Sequence, residues 1–125
     1  MHGVNKDDGS IYATRGDAVY LKITCEKNGE PYTFKVGEVV RFNICEKKKC
    51  ENVVLQKDFP VTAETQGVDV ILGSTDTKIG GIISKPVDYW YEVVLNPLDN
   101  PQTIIGYDVD GARVFRLFPE ANDNF

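Results

Sequence analysis

The side chains best equipped for chemistry in this 125-residue chain are one histidine, His2, and three cysteines, Cys25, Cys45 and Cys50. Nucleophilic catalysis needs an imidazole or another base held against the nucleophile inside a packed site. His2 belongs to the polar opening "MHGVNKDDGS", which is expected to fray, so no Ser-His-Asp or Cys-His arrangement can be assembled around it. Tetrahedral zinc takes four ligands, whereas Cys45-x4-Cys50 brings only two. Those two cysteines are read instead as facing each other across a hairpin, able to pair if oxidised. Cys25 alternates with Leu21 and Ile23 and reads as a small buried hydrophobe. An odd cysteine count favours reduced thiols in a cytosol.

Carboxylates offer a second kind of chemistry. The stretch "YDVDGA" sets Asp108 and Asp110 ahead of Gly111, as at the start of a calcium loop. An EF-hand frame begun at Asp108 puts Arg113 where glycine must turn the chain and Pro119 where the bidentate glutamate belongs. The motif therefore reads as the Asp-Gly turn of a hairpin. Two carboxylates could converge as a glycosidase pair, but nothing in the sequence around any of them singles one out. Gly80-Gly81 has no Lys-Ser/Thr after it and opens no long helix, which excludes a phosphate loop. The expectation is a protein that is not an enzyme, with no cofactor and no metal.

Fourteen basic against 19 acidic residues give a net charge of −5, with a pI near 4.8. Nucleic-acid binders neutralise phosphates with a basic face, so this balance argues against nucleic acid as a partner. The densest basic run, Lys47-Lys48-Lys49, is flanked by Glu46 and Glu51 and reads as a solvated turn. It adjoins no apolar helix face, so a membrane is not expected as a partner either. No apolar run approaches the ~18 residues that span a bilayer, and the opening residues carry no export signal. Length and composition fit one domain over residues 10–119, between a frayed segment at 1–9 and a loose tail at 120–125.

The elements that would position these groups read as strands. Val19, Leu21, Ile23 and Cys25 alternate with Tyr20, Lys22, Thr24 and Glu26, a period of two with no helical stripe. Asn28-Gly29 follows as a hairpin turn, since both residues tolerate positive φ. "EVVRFNICE", "NVVLQKDF", "GVDVILG", "DYWYEVVLNP", "QTIIGYDVDG" and "ARVFRLFPE" continue the pattern. Ser, Thr and Asp opening "STDTKIGG", closed by Gly80-Gly81, suggest one helical turn near 75–80. Seven to eight strands with frequent turn signals predict an all-β antiparallel sandwich, with a partly closed barrel as the rival.

Between "SIYAT" and the strand from Ala18 lies Arg15-Gly16-Asp17, a tripeptide that some adhesion receptors bind. Its place between two strands, with Gly16 free to take positive φ, predicts a structural bend instead. This "TRGD" is the first of an ordered set of motifs. "GEPYTFKVGEVVRFNI" follows, then "LQKDF", then "STDTKIGG" leading to "DYWYEVVL", and finally "FRLFP". In this order, across Ile11 to about Pro119, they resemble the N-terminal domain of baseplate upper proteins of tailed phages, found in prophages of gut Firmicutes. The matching positions include Arg15, Gly16, Asp17, Gly29, Pro31, Tyr32, Arg41, Phe42, Lys57, Asp76, Thr77, Tyr89, Tyr91 and Glu92. The resemblance implies an immunoglobulin-like sandwich and a non-enzymatic structural or assembly module of a phage or prophage tail. It also implies a host cytoplasm during assembly and a virion tail afterwards.

A strand cannot turn Tyr89, Trp90 and Tyr91 all to one core. With both tyrosines inward, Trp90 stands on the other face with Val94, and these two are the expected partner-docking residues. The expected partners are other tail or baseplate subunits, or further copies of this chain. A carbohydrate- or surface-binding immunoglobulin-like domain of a bacterial protein is the alternative, with Trp90 as a platform for a sugar ring.

Overall fold

The computed structural model describes residues 2–5, 8–106 and 112–120 and has no helix among them; the protein is all-β. The strands in chain order are β1 His2–Val4, β2 Ile11–Thr14, β3 Val19–Ile23, β4 Glu26–Lys27, β5 Glu30–Pro31 and β6 Val39–Cys45. They continue as β7 Val53–Pro60, β8 Val68–Leu72, β9 Val87–Leu95, β10 Gln102–Ile105 and β11 Arg113–Phe118. Among the described residues eleven strands thus stand where seven to eight are expected from the pattern; β1 and the two-residue β4 and β5 are additions. Asn28 and Gly29, with φ of 55° and 79°, join β4 to β5 as their sequence requires.

The main sheet runs β1-β2-β11-β9-β6-β7, with β10 pairing β9 beyond the end of β11. All its pairs are antiparallel except β2 with β11, which run parallel. β3 and β8 form a separate antiparallel ribbon in which Val19, Leu21 and Ile23 oppose Leu72, Val70 and Val68. These six side chains join Val40, Phe42 and Ile44 of β6 and Phe115 and Leu117 of β11 in one hydrophobic cluster. Phe42 stacks on Tyr91 with ring centroids 5.6 Å apart. Each such large side chain, fully buried, contributes about 1.5–3 kcal/mol. No hydrogen-bonded ladder joins the ribbon to the main sheet among the described residues, so the strands do not close into a barrel.

Cys25, expected to continue the buried row, is half-buried at the margin of the core. β3 ends at Ile23, and the Cys25 carbonyl accepts the Tyr32 N–H at 2.7 Å, starting the β4–β5 excursion. Residues 2–4, expected to fray, form β1 on the edge of β2. His2 Nε2 accepts the Tyr20 N–H at 3.3 Å, which gives this segment a hold that its polar sequence conceals. Cys45 and Cys50, expected to face each other across a hairpin and able to pair if oxidised, are joined by a disulfide. Their Cα atoms lie 4.8 Å apart because Cys50 and Asn52, with φ of 56° and 55°, fold the hairpin back on itself.

The helical turn expected near 75–80 is absent. Residues 74–77 form a turn held by i→i+3 bonds, Asp76 N–H to Gly73 C=O at 3.0 Å and Lys78 N–H to Thr75 C=O at 3.3 Å. The side chains that resembled helix caps bond elsewhere. Asp76 accepts the Gly73 N–H and the Lys57 ammonium, both at 2.7 Å. The fully buried Thr77 hydroxyl accepts the Gly16 N–H at 2.9 Å and donates to the Asp17 carbonyl at 2.9 Å, with the Ser74 carbonyl also in reach.

That hydroxyl is the pin of the "TRGD" bend. Gly16 has φ of +89°, and a Cβ there would meet the Glu120 carboxylate. Arg15, only 8% exposed, reaches the Gly80 carbonyl at 3.3 Å and Glu120 at 3.7 Å. A buried guanidinium spent on the fold's own backbone is not a receptor ligand.

Candidate functional site

β9 runs through the middle of the main sheet and turns Asp88, Trp90, Glu92 and Val94 away from the core. Trp90 sits opposite Val114 of β11 on one side and Cys45 of β6 on the other. Val94 sits opposite Arg41 of β6 and Thr103 of β10. Both expected docking residues therefore share the outer face, and both are half-buried. They do not touch along the strand. Four residues at a rise of about 3.4 Å separate them by about 14 Å, with Glu92 between. The Asn43 amide donates to Glu92 at 3.1 Å, and Asn43 is itself 6% exposed, so a polar pair interrupts the patch.

The apolar company of Trp90 lies across the strands instead. Val114 and the Cys45–Cys50 disulfide flank it, while Tyr12 and Phe118 lie further along the sheet, with Arg116, clasped to Asp88, between Val114 and Phe118 and opposite Tyr12. A groove of about 280 Å³ runs there, lined by Tyr12, Val114, Arg116 and Phe118, with Asp8 and Ser10 on its rim. Sequence reasoning missed this grouping because its signal is the cross-strand register, which alternation alone does not supply.

Two bidentate ion pairs bracket the face. Arg116 grips Asp88 at 2.7 and 3.1 Å, and Arg41 grips Asp58 at the same two distances. In each the guanidinium hydrogen bonds hold the carboxyl below the usual carboxylate range. Asp8, on the groove rim, is held down by the Ser10 hydroxyl and N–H. The face is polar at its margins and ordered before any partner arrives.

A second feature closes one end of the fold. Burial works against ionising Glu38, but the Lys35 N–H at 2.7 Å, the Asn96 amide at 3.0 Å and the Tyr32 hydroxyl at 2.9 Å outweigh it and keep the carboxyl low. Asn96, with φ of 52°, also bonds both backbone groups of Val39, its amide oxygen accepting at 3.1 Å and its N–H donating at 2.8 Å. Clefts of about 420 and 460 Å³ flank this strut and share Glu38, Asn96 and Asp99. The turn after Asn96 presents Leu98, 89% exposed. A carboxylate so fully occupied by its own fold is a strut rather than an acid or base.

Among the described residues, no group of three or more His, Cys, Asp or Glu is placed to hold a metal ion, and no helix is long and apolar enough to cross a membrane. Asp108, Asp110 and the turn at Gly111 lie outside the described residues. On the outside of the ribbon, Tyr20 and Ile71 form a cross-strand pair with both side chains exposed, a feature the strand reading did not single out. Comparison with protein-family models, with curated proteins and with solved structures finds no match to this chain.

Proposed function

We infer that this domain is a non-enzymatic assembly module of a phage or prophage tail, of the baseplate type, acting by docking its sheet surface onto neighbouring subunits. One observation carries the reading. Residues of three separate motifs behind the resemblance, Arg15-Gly16-Asp17, Lys57 and Asp76-Thr77, meet in a single joint although up to about 60 positions separate them. Motifs that lock two loops and a strand together define a fold rather than a reaction. An immunoglobulin-like sandwich is further supported by strand order β2-β11-β9-β6-β7, with β2 parallel to β11 and the β3–β8 ribbon contributing to the same core. The Tyr91 hydroxyl donates to the Gly9 carbonyl at 2.6 Å and ties β9 to the segment that enters β2.

On this reading the chain is made in the host cytoplasm and ends in the virion tail, with other tail subunits or its own copies as partners and no cofactor, nucleic acid or membrane. The Cys45–Cys50 disulfide suits the oxidising surroundings a virion meets after release. The test is co-elution of the purified domain with the tail proteins encoded beside it, repeated with Trp90→Ala. Loss of co-elution in the variant is expected; co-elution indifferent to Trp90, or turnover by the purified domain, overturns the reading. The carbohydrate-binding alternative draws on the cleft lined by Asn100, Gln102 and Thr103, whose amides and hydroxyl suit sugar hydroxyls. Binding on a glycan array that Gln102→Ala removes would favour it.

A further inference from the structure

β9 turns Glu92 outward between Trp90 and Val94, two residues from each, so the three stand in a row about 7 Å apart. Among the described residues the Asn43 amide is its one hydrogen-bond donor, at 3.1 Å on one oxygen, and no cation pairs with it. The other described carboxylates of this face are provided for. Arg116 holds Asp88, Arg41 holds Asp58, and Ser10 holds Asp8 with Arg113 nearby. Asn43 gives its N–H to Glu92 and keeps a carbonyl oxygen that is buried and meets no donor. Gln56, opposite Asn43 on β7, does not supply one. Buried polar atoms are rarely left unmatched, and this one adjoins a carboxylate that is itself half-matched. The middle of the face is short of donors and short of a positive charge.

We propose that Glu92 receives an arginine side chain of a docking partner, the guanidinium bonding the second Glu92 oxygen beside the Trp90 indole and the methylene stem covering Val94. This rests on the docking reading above and names the chemistry of the partner. An acid set between two apolar side chains matches a side chain that is apolar along its stem and charged at its tip. Glu92, which interrupts the apolar patch, thereby becomes its selective element. Arginine suits the place better than lysine. Its planar, weakly hydrated guanidinium stacks on an indole, and its five N–H groups answer several acceptors at once, where an ammonium is a compact, strongly hydrated charge. One carboxylate and one amide are too few ligands for a metal ion, which takes six or more oxygens when it is calcium. An acidic partner segment would meet Glu92 with like charge. Asn43 is a positioning residue here: by holding one oxygen of Glu92 it fixes where the other is presented.

Titration of the full chain with the blocked peptide Gly-Arg-Gly tests the site, with Gly-Lys-Gly and the neutral Gly-citrulline-Gly as controls. Trp90 is the chain's single tryptophan, so its emission reports binding directly, and calorimetry follows the variants that lack it. Saturable binding of the arginine peptide at millimolar concentration is expected. It should weaken about ten-fold in Glu92→Gln and in Trp90→Ala, and by a similar factor for citrulline, with the lysine peptide weaker than the arginine one. Far-ultraviolet dichroism checks that both variants fold. Absence of binding, binding indifferent to Glu92→Gln, or equal binding of the citrulline or lysine peptide overturns the assignment. Co-elution with the neighbouring tail proteins separates this proposal from the docking reading. If Trp90→Ala abolishes co-elution and Glu92→Gln leaves it intact, the arginine site falls while docking stands; if neither variant changes it, both fall.

Discussion

Thr77 shows how much one side chain can organise here. Its hydroxyl accepts from Gly16 and donates towards Asp17, joining segments 60 residues apart with no exposed surface. Replacing it with valine keeps the shape and removes both roles, leaving a buried N–H and a carbonyl unmatched. Thr77→Val should cost about 1–3 kcal/mol in urea unfolding, while Thr77→Ser should recover most of it. Tyr91 makes a prediction about pH. Burial raises its phenol from an ordinary value near 10 to about 12. The folded state therefore holds this proton more tightly than the unfolded chain does. The stabilisation is complete below pH 10 and is lost as pH climbs from 10 towards 12. Alkaline unfolding over that range should be blunted in Tyr91→Phe, which has no proton to lose; an unchanged alkaline limb would refute the assignment.

At the scale of elements, the hairpin between β6 and β7 is held at two levels. Backbone bonds run from Glu46 to Asn52 and from Lys47 to Glu51, and the disulfide closes the same short loop. Cross-linking a loop of about six residues contributes roughly 2 kcal/mol on the chain-entropy account. Cys45→Ser with Cys50→Ser, or reduction by a dithiol, should lower the urea midpoint by about that much without unfolding the domain. Because Cys45 neighbours Trp90 across the sheet, tryptophan emission should change with it. β7 is the other element with consequences. It is the eight-residue outer edge of the main sheet, and Lys57, bound to Asp76, and Pro60 are the features that blunt it.

For the molecule as a whole, acid should be the weak side. Asp58, Asp76 and Asp88 are held low chiefly by hydrogen bonds from Arg41, Lys57 and Arg116, and Glu38 is held low by its own donors despite burial. A carboxyl depressed in the fold contributes stability above its unfolded pKa and loses it as pH falls through the folded value. Stability is therefore expected to fall progressively below about pH 4, measured as the urea midpoint against pH. Asp76→Asn should flatten part of that slope, since Asp76 has two bonds to lose.

Alternation along "AVYLKIT", "EVVRFNICE" and "DYWYEVVL" determined the strands and their buried faces, because a strand's side chains must point alternately whatever lies beyond it. Asn28-Gly29 determined its turn for a similarly local reason, positive φ. The position of "TRGD" between strands likewise predicted its bend. Tertiary structure alone decided the rest. Whether Thr77 begins a helix or pins a distant glycine depends on which donor comes near it. Whether Trp90 meets Val94 or Val114 depends on register, a relation between strands that no single strand encodes. The sequence also left the cysteines' state open, because oxidation needs two sulfurs within reach, and the left-handed backbone of Cys50 brings them there.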